Sequence, residues 1–330
     1  MDRPIDFSRL RTVPLDPRSR GVRTEQFGRC PDLDESLGRF LDGLPDLLAV
    51  RELRGLAAAV ARARAAKCGV VWALGGHVVK SGVSPVVVEQ IERGRITALA
   101  LNGAAAIHDW EIAAAGATSE HVDSGLGDGA FGATEETGRE LNTAAVVAAE
   151  SDRGFGEVLG ERIESARLPQ RDRSVLAAAA RRGVPATIHV ALGCDVVHLH
   201  PTADGAAIGA ASHFDFRRLV GIVGGLAGGV WINCGSAVQL PEVFLKAFSA
   251  ARNLGHRLDG LTTADLDMQR HYRTERNVLE RPTAACAGAA FRLTGHHEIQ
   301  IPLLAAAIEQ AVRRLDGGDD AGGGPPRGSA

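Results

Sequence analysis

The chain lacks several features that would point to a class of protein at once. Its five cysteines are widely spaced and odd in number, and none forms a C-x-x-C pair. A disulfide framework and a structural zinc site are therefore disfavoured, and a cytoplasmic location is expected. The first 30 residues contain no apolar segment of the kind that a signal peptide needs. The longest apolar runs are rich in glycine and too short to cross a bilayer as a helix, so we expect no membrane partner.

The net charge and the aromatic content are also low. The net charge is −3 and only 4% of the residues are aromatic. We find no basic stripe and expect no nucleic-acid partner. Because aromatic side chains are few, the core must be built mainly from Ala, Val, Leu and Ile.

Composition separates the ends of the chain from its middle. Residues 1–30 hold three prolines and several arginines without periodicity, which predicts an extended N-terminal arm. Residues 316–330, DGGDDAGGGPPRGSA, have the composition of a flexible tail. The middle of the chain, residues 31–315, is predicted to form a single α/β domain.

Predicted strands and helices alternate through this middle part. Residues 69–74 and 96–101 are continuous apolar runs, as expected of strands that are buried on both faces. Ser84 and Pro85 predict the start of a helix between them, with Ser84 as its N-cap, and Gly94 predicts its end. Further strands are predicted at 186–192, 229–233 and 290–294, with a strand end at 258–263, and further helices at 35–65, at 104–116, from 241 onwards and at 301–315. Such alternation is typical of an open, mostly parallel α/β sheet.

The residues that follow the predicted strands form the candidate site, because ligands of such sheets bind at the carboxyl ends of the strands. These turns are rich in glycine, hydroxyl and amide groups and lead into helices, a setting that suits a phosphate or a ribose. No G-x-G-x-x-G motif follows the first two predicted strands and no P-loop is present, so an ordinary Rossmann dehydrogenase is not favoured. The candidates, in chain order, are Gly76, His77, Lys80, Ser81, Asn102, Gly103, His108, Asp109, Glu111, Asp204, Asn233, Gly235, Ser236, Thr263 and Asp265.

Each candidate with reactive chemistry also has a structural interpretation. Lys80, one of only three lysines, ends the stretch GVVWALGGHVVK. It can bind an anion, form an imine with a carbonyl carbon, or lie in solvent. His77 and His108 can be acid/base catalysts or structural histidines. Cys234 is interpreted as a small packing residue.

A metal site is a weaker alternative. His198 and His200 alternate, so they would share one face of a strand, and His213 follows. Imidazole suits zinc, iron or nickel. No third ligand is identified, however, and we predict no metal site.

Taken in order, the turns resemble those of the deoxyhypusine synthase family between residues 65 and 312. The stretch WALGGHVVKSGVSPVVVEQIERGRITALALNGAAAIHDWE resembles the family's serine-rich turn, helix, strand and glycine turn with acidic residues after it. The segments DGAAIGAASH, INCGSAV, LDGLTTADLD and FRLTGHHEIQIPLLAAAI resemble its later blocks. The resemblance implies a Rossmann-like, mostly parallel sheet with helices on both faces that binds NAD, and a homotetramer built as a dimer of dimers. It implies cofactor contacts at Gly76, His77, Ser81, Asn102, Gly103, Glu111, Asp204, Asn233, Gly235, Ser236, Thr263, Ala264 and Asp265.

The chain departs from the family where the family carries out catalysis. The family's catalytic lysine follows a Trp-Gly pair before the last strand, but the matching segment here, ERPTAACAGAAFR, has neither Trp nor Lys. Gln239 and Leu240 replace a Lys-His pair, and the acidic residue that binds the polyamine falls at Gly209. The cofactor frame is therefore expected to be kept, and the spermidine machinery is expected to be lost.

The first hypothesis is an NAD-binding enzyme that oxidises a small amine-bearing substrate before an elimination or a group transfer. His77, His108 and Asp109 are its acid/base candidates, and Lys80 is a further catalytic candidate. Three alternatives stay open. They are a genuine aminobutyl transferase that uses spermidine, an NAD-binding homo-oligomer without turnover, and a metal-dependent hydrolase that uses His198, His200 and His213.

Overall fold

The computed structural model describes residues 22–317. Residues 1–21 of the predicted arm and residues 318–330 of the predicted tail lie outside the described residues, so the arm, the tail and the domain boundaries stay predictions. The contacts of the chain divide it into two compact units, residues 1–51 and residues 52–330.

The described part of the first unit consists of loops and short helical segments. Thr24–Gln26 form one turn of 3-10 helix, and α1 (Leu37–Gly43) follows. The side chain of Ser36 accepts a hydrogen bond from the backbone N–H of Arg39 at 3.3 Å. Ser36 therefore has the role that serine usually has at a helix N-cap.

Six strands form one sheet in the second unit. They are β1 (Val70–Leu74), β2 (Ala98–Asn102), β3 (Ala186–His189), β4 (Val230–Cys234), β5 (Thr262–Asp267) and β6 (Ala289–Thr294). Their order across the sheet is β3-β2-β1-β4-β5-β6, and every neighbouring pair is parallel. This is the strand order of a Rossmann-type sheet. The predicted α/β class with a parallel sheet is confirmed.

Helices cover both faces of this sheet. β1, β4 and β5 are buried along their whole length, as strands with helices on both sides should be. A π-helical turn, Glu275–Glu280, also follows β5. The helices after α1 are α2 (Leu48–Ala65), α3 (Gly76–Lys80), α4 (Ser84–Glu92), α5 (Gly103–Ala115), α6 (Val122–Asp128), α7 (Glu135–Glu150), α8 (Phe155–Ser165), α9 (Val175–Arg182), α10 (Gly205–Gly224), α11 (Gln239–Asn253), α12 (Tyr272–Thr274), α13 (Arg281–Cys286) and α14 (His297–Asp316).

The ends of α4 and α5 follow local sequence signals. Asn102 caps α5, because its side chain accepts a hydrogen bond from the N–H of Ala105 at 2.9 Å, and Gly116 ends α5 with φ +70°. The N-cap of α4 is Val83 and not the predicted Ser84, which is already helical. The predicted helix is therefore present as α4, but it begins one residue earlier than predicted, at Ser84.

Three aromatic residues of the core pack together between β4 and α11. Trp231 stacks on Phe244 of α11 with ring centroids 4.2 Å apart, and Phe248 meets Phe244 edge-on. All three side chains are buried. Alanine, valine and leucine from β1, β2 and α10 complete this cluster, as the scarcity of aromatic residues predicts.

Two predicted strand positions are wrong. Residues 258–261 precede β5, which begins at Thr262. Thr263, Ala264 and Asp265 therefore lie inside a buried strand and not in the turn after it. The polar residues of this strand interrupt the apolar pattern that identifies a buried strand. Asp265 can be buried there because Asn233 on β4 donates a hydrogen bond to it at 2.7 Å.

The second error concerns the histidines after β3. β3 ends at His189, and His198 lies in a 3-10 turn, Val196–Leu199. His198 and His200 therefore do not share one face of a strand.

We predict that Gly75→Ala destabilises the protein. A Cβ at Gly75 would lie 2.0 Å from the carbonyl oxygen of Gly235, so the ends of β1 and β4 would have to separate. Overpacking of this kind typically costs about 1–3 kcal/mol, measured as a loss of unfolding free energy in urea. Gly209→Ala is the control, because a Cβ there meets nothing within 4 Å in the middle of α10. It should be neutral or stabilise by up to about 1 kcal/mol. Equal stability of the two variants would contradict the prediction.

Candidate functional site

The strand order of the sheet reverses between β1 and β4. In open parallel sheets, a ligand binds in the crevice at such a point, at the carboxyl ends of the two strands. The turns after β1 and β4, which begin at Gly75 and Gly235, are therefore the centre of the candidate site.

Backbone hydrogen bonds hold these two turns together. The N–H of Gly75 donates to the carbonyl of Cys234 at 2.8 Å, and the N–H of Gly235 donates to the carbonyl of Leu266 at 3.0 Å. Gly235 has φ +63°, and Gly75 has no room for a Cβ. Glycine is thus required at both positions by backbone conformation and close approach.

Gly76 brings α3 into contact with α5. A Cβ at Gly76 would lie 3.0 Å from the Cβ of Ala104 and 3.1 Å from the Cδ2 of His108. The candidates that follow β1 and those that follow β2 are therefore neighbours in the structure.

His77 on α3 pairs with His297, the first residue of α14. Their Nδ1 atoms are 2.8 Å apart, and Nε2 of His297 lies 3.0 Å from the carbonyl oxygen of Leu266. A carbonyl oxygen only accepts hydrogen bonds, so the proton of neutral His297 is on Nε2, and its Nδ1 accepts from Nδ1–H of His77. Nε2 of His77 then carries a lone pair, and no residue between 22 and 317 bonds to it.

Burial of the ring, followed by the neighbouring His297, lowers the pKa of His77. Lys80 acts in the same direction, while Glu298 and Asp267 oppose it. The neutral form of His77 is thus favoured, and only this form can accept a proton.

A cavity of about 190 Å³ lies beside α3 and α5. Lys80, His108 and Glu111 line it, so the structure brings these three predicted residues together. Glu120 and Asp195 add two carboxyl groups to its lining. Neither was among the predicted site residues. Asp195 nevertheless lies shortly after the predicted strand 186–192, and a position after a strand is what identified the other candidates.

Glu111 accepts hydrogen bonds from two side chains. The hydroxyl of Thr118 donates to Oε2 of Glu111 and lies 2.7 Å from Nδ1 of His108. The hydroxyl of Thr137 donates to Oε1 of Glu111 at 3.1 Å. Burial would raise the pKa of Glu111, but the neighbouring His108 and the hydrogen bonds from Thr118 and Thr137 outweigh it and lower that pKa. The cavity therefore has an ionised carboxylate in its wall.

Lys80 ends α3 and is exposed. Within the described part of the chain, no side chain or carbonyl bonds to its ammonium group. Its charge is thus available to a ligand of the cavity.

Asp195 lies against the N-terminus of α5. A Cβ at Gly103 would lie 2.2 Å from Oδ2 of Asp195, and the same oxygen accepts a hydrogen bond from the N–H of Ala191 at 3.0 Å. Glycine is therefore required at position 103, because a side chain there would collide with the carboxylate of Asp195. Burial raises the pKa of Asp195, against the opposing effects of the Ala191 hydrogen bond and the charge of His198.

Asp109 has a structural role in place of the predicted acid/base role. Its side chain is fully buried and accepts hydrogen bonds from the hydroxyl of Ser174 at 2.6 Å and from the N–H groups of Val175 and Leu176 at 2.8 and 3.1 Å. These donors form the first turn of α9. Burial raises the pKa of Asp109 to about 6 against the effect of these hydrogen bonds. A carboxylate enclosed in this way does not reach the cavity.

Two predicted serines have partners in the protein; Ser81 follows α3, and Ser236 lies in the turn after β4. The hydroxyl of Ser81 donates to the carbonyl of Val78 at 2.9 Å, and Oγ of Ser236 accepts from the N–H of Leu240 at 3.2 Å.

The other predicted cofactor contacts are distributed over the sheet and α10. Asp204 caps α10, since its carboxylate accepts from the N–H of Ala206 at 2.8 Å. Asn233 and Asp265 are buried against each other between β4 and β5. Burial raises the pKa of Asp265 to about 6. None of these three lines the cavity.

The histidines proposed for a metal site have other partners. Nδ1 of His200 lies 2.7 Å from the hydroxyl of Thr202, and Nδ1 of His198 accepts from the N–H of Gly193 at 3.4 Å. Among residues 22–317, no group of three or more His, Cys, Asp or Glu side chains is placed to hold a metal ion. In the same residues, no helix has both the length and the apolar character needed to cross a membrane.

Solved structures are similar to this chain at low sequence identity. AgrE in its ternary complex with ornithine and NAD+ has a TM-score of 0.51 and 14% identity; the match covers 81% of this chain and 34% of AgrE. ArgZ, an arginine dihydrolase from cyanobacteria, has a TM-score of 0.47 and 13% identity over 80% of this chain and 31% of its own. A deoxyhypusine synthase candidate from Entamoeba histolytica has a TM-score of 0.47 and 11% identity over 85% of this chain and 95% of its own.

The chain thus spans about a third of the length of AgrE and ArgZ. No protein-family profile matches the sequence, and no curated protein is significantly similar to it. The strand order and the similarity to AgrE confirm the predicted Rossmann-like fold, and membership of the deoxyhypusine synthase family stays a prediction.

We predict that Asp109→Asn lowers stability and leaves ligand binding by the folded protein unchanged. An amide would turn one acceptor into a donor that faces Ser174 or the start of α9. Leaving buried partners unpaired costs about 1–3 kcal/mol, measured by urea unfolding. The control is Asp172→Asn, whose side chain is 85% exposed and should change stability by less than about 0.5 kcal/mol. An Asp109→Asn protein of normal stability that lost turnover would restore Asp109 as a catalyst.

Proposed function

We propose that this chain is an NAD-binding enzyme that oxidises a small amine-bearing substrate before an elimination or a group transfer. The observation that carries the proposal is the contact between α3 and α5 at Gly76 and His108. It joins the crevice at the strand reversal, where a dinucleotide binds in this fold, to a cavity that holds Lys80, His108 and Glu111.

The residues at the crevice fit a dinucleotide. The turns that border it carry no side chain at Gly75, Gly76 and Gly235 and a hydroxyl at Ser236, so no bulky group from these turns obstructs a flat ligand. AgrE, which has the same fold, is known in a complex with ornithine and NAD+. We propose Gly76, Ser81, Gly235 and Ser236 as the residues nearest to the cofactor. NAD bound there would accept a hydride from the carbon that carries the amine.

The cavity is suited to a small cationic group. Its volume of about 190 Å³ is below the roughly 300–1,000 Å³ of sites that enclose drug-sized ligands, so it fits the substrate and not the whole dinucleotide. Glu111 is ionised, and Glu120 and Asp195 add two more carboxyl groups. An ammonium group of the substrate would be stabilised by these charges.

Lys80 is proposed to bind an anionic group of the substrate or cofactor. A lysine that forms an imine needs a depressed pKa, which comes from burial or from a nearby cation. Lys80 is exposed, which favours the anion-binding role. A substrate that carries both an amine and a carboxylate, as ornithine does, would use both charges of the cavity.

Two alternatives from the sequence analysis are kept as outcomes of the test. Spermidine-dependent aminobutyl transfer would use the same crevice and the same carboxylates, without the family's Trp-Gly-Lys segment. A non-catalytic NAD-binding homo-oligomer would bind the cofactor and reduce none of it.

We predict that the purified protein releases NAD on denaturation or shows a higher melting temperature when NAD is added. A screen of diamines, amino acids and spermidine, read as absorbance of reduced NAD, then tests for turnover. Lys80→Gln should raise the KM of an anionic substrate about 10–100-fold, which corresponds to the loss of one charge-assisted contact of about 1.5–3 kcal/mol. The matched control is Lys246→Gln, since Lys246 is exposed and pairs with Glu242 on α11.

The outcomes separate the alternatives. Reduction of NAD with spermidine and with no other amine supports the transferase. Binding of NAD without its reduction by any amine supports the non-catalytic homo-oligomer. A protein that neither contains NAD nor responds to it contradicts the proposal, and so does an equal effect of the two lysine substitutions.

We also propose that the chain forms a homo-oligomer, as the resemblance implies. Val122 and Leu126, both on α6, are 44% and 64% exposed, and a partner subunit would cover them. Light scattering should give a mass that is a multiple of 34.6 kDa, and a tetramer would match the family. A monomer at micromolar concentration would contradict this.

A further inference from the structure

Thr118 connects the two titratable side chains that α5 presents to the cavity. It lies in the loop after α5, which ends at Ala115. Its Oγ1 is within hydrogen-bond distance of Oε2 of Glu111 and of Nδ1 of His108. The direct separation of His108 Nδ1 and Glu111 Oε2 is 3.7 Å, too long for a hydrogen bond. The threonine hydroxyl therefore bridges the carboxylate and the imidazole.

The direction of both hydrogen bonds follows from the number of protons. An ionised carboxylate only accepts, and a threonine hydroxyl has a single proton to donate. The lowered pKa of Glu111 keeps it ionised, so the proton of Thr118 points to Glu111. The lone pairs of Thr118 then face His108, whose Nδ1 must carry a proton to make the contact. The second nitrogen of neutral His108, Nε2, is left without a proton.

We propose that Thr118 is a positioning residue that fixes the tautomer of His108, so that Nε2 of His108 is the proton acceptor of the cavity. The tautomer depends on the described contacts and on the ionised state of Glu111, and the use of Nε2 on an amine rests on the proposed function. No side chain within residues 22–317 bonds to Nε2 of His108. His108 itself lines the cavity.

The proton transfer needs no further reactant. The N–H bond of a substrate ammonium breaks, its electron pair stays on the nitrogen, and the proton forms a bond with Nε2 of His108. The imidazolium that results donates from Nδ1 to Thr118, which donates to the Glu111 carboxylate. Among the other charged groups of the cavity, Glu120 and Asp195 favour this cation and Lys80 disfavours it.

The first test is the tautomer of His108 in the ligand-free protein, observed by NMR with nitrogen-15 in histidine. The His108 signals are those that His108→Gln removes. In the wild type, Nδ1 should be the protonated nitrogen. In Thr118→Val, which keeps the shape and removes the hydroxyl, the signals should shift toward a ring protonated on Nε2. In Thr118→Ser, they should return to the wild-type pattern.

The second test is the pH dependence of turnover with the best amine from the screen. Thr118→Val should lower kcat by roughly 10–100-fold, as the loss of an orienting partner usually does, with less than about threefold change in KM. The pH profile of kcat/KM should differ from that of the wild type, because the proton acceptor of the cavity loses its link to Glu111. Thr118→Ser should recover most of kcat.

The control is Thr202→Val, which breaks a histidine–threonine contact of the same kind, between Thr202 and His200, outside the cavity. It should leave kcat and the pH profile unchanged. A wild-type His108 protonated on Nε2 would overturn the proposal even if no Thr118 variant folded. A Thr118→Val protein that lost activity while its His108 tautomer was unchanged would overturn it as well. If no amine reduces NAD, the proposed function fails while the tautomer result still decides the role of Thr118.

Discussion

The candidate site depends on the contact between two glycine turns at the centre of the sheet. The turns after β1 and β4 approach so closely that Gly75 has no room for a Cβ, and the backbone of Gly235 in turn bonds to the end of β5. Three strand ends are thereby held at fixed distances. The end of β5 also presents the carbonyl of Leu266 that orients His297 and, through it, His77. A shift of the two turns would change the histidine pair and the position of α3 together, because both are built on the same backbone contacts.

Position along α5 explains why the pKa of Asp109 is raised and the pKa of Glu111 is lowered. Asp109 and Glu111 are two residues apart and therefore point to different sides of the helix. Asp109 faces the interior, where it closes the first turn of α9 and its pKa is raised to about 6. Glu111 faces the cavity, where the neighbouring His108 and the hydrogen bonds from Thr118 and Thr137 outweigh burial and lower its pKa. Only Glu111 combines a charge with access to a ligand, and hydrogen-bond donors rather than solvent keep it charged.

The sequence predicts the sheet better than it predicts the site. Apolar runs such as 69–74 and 96–101 identify buried parallel strands because both faces of these strands must be covered. β5 escaped recognition because Asp265 breaks its apolar pattern, and its buried partner Asn233 lies on another strand. Gly76, Lys80 and His108 could be predicted since they follow strand ends. Thr118 and Glu120 could not, because they belong to a loop that no strand pattern places, and His297 takes its role from a contact 220 residues away in the chain.

The hydrogen-bond partners of the two site histidines restrict the chemistry that the site can support. His77 is fixed through His297 to a carbonyl oxygen, and His108 is fixed through Thr118 to a carboxylate. In both cases the last partner, a carbonyl oxygen or a carboxylate, can only accept a hydrogen bond. Each neutral ring therefore has its proton on Nδ1 and a lone pair on Nε2. Neither histidine in this form can donate a proton from Nε2. A reaction that needs an acid as well as a base must therefore take its proton from a different group. The proposed oxidation of an amine fits this arrangement, because removing a hydride and a proton from the substrate requires acceptors and no acid.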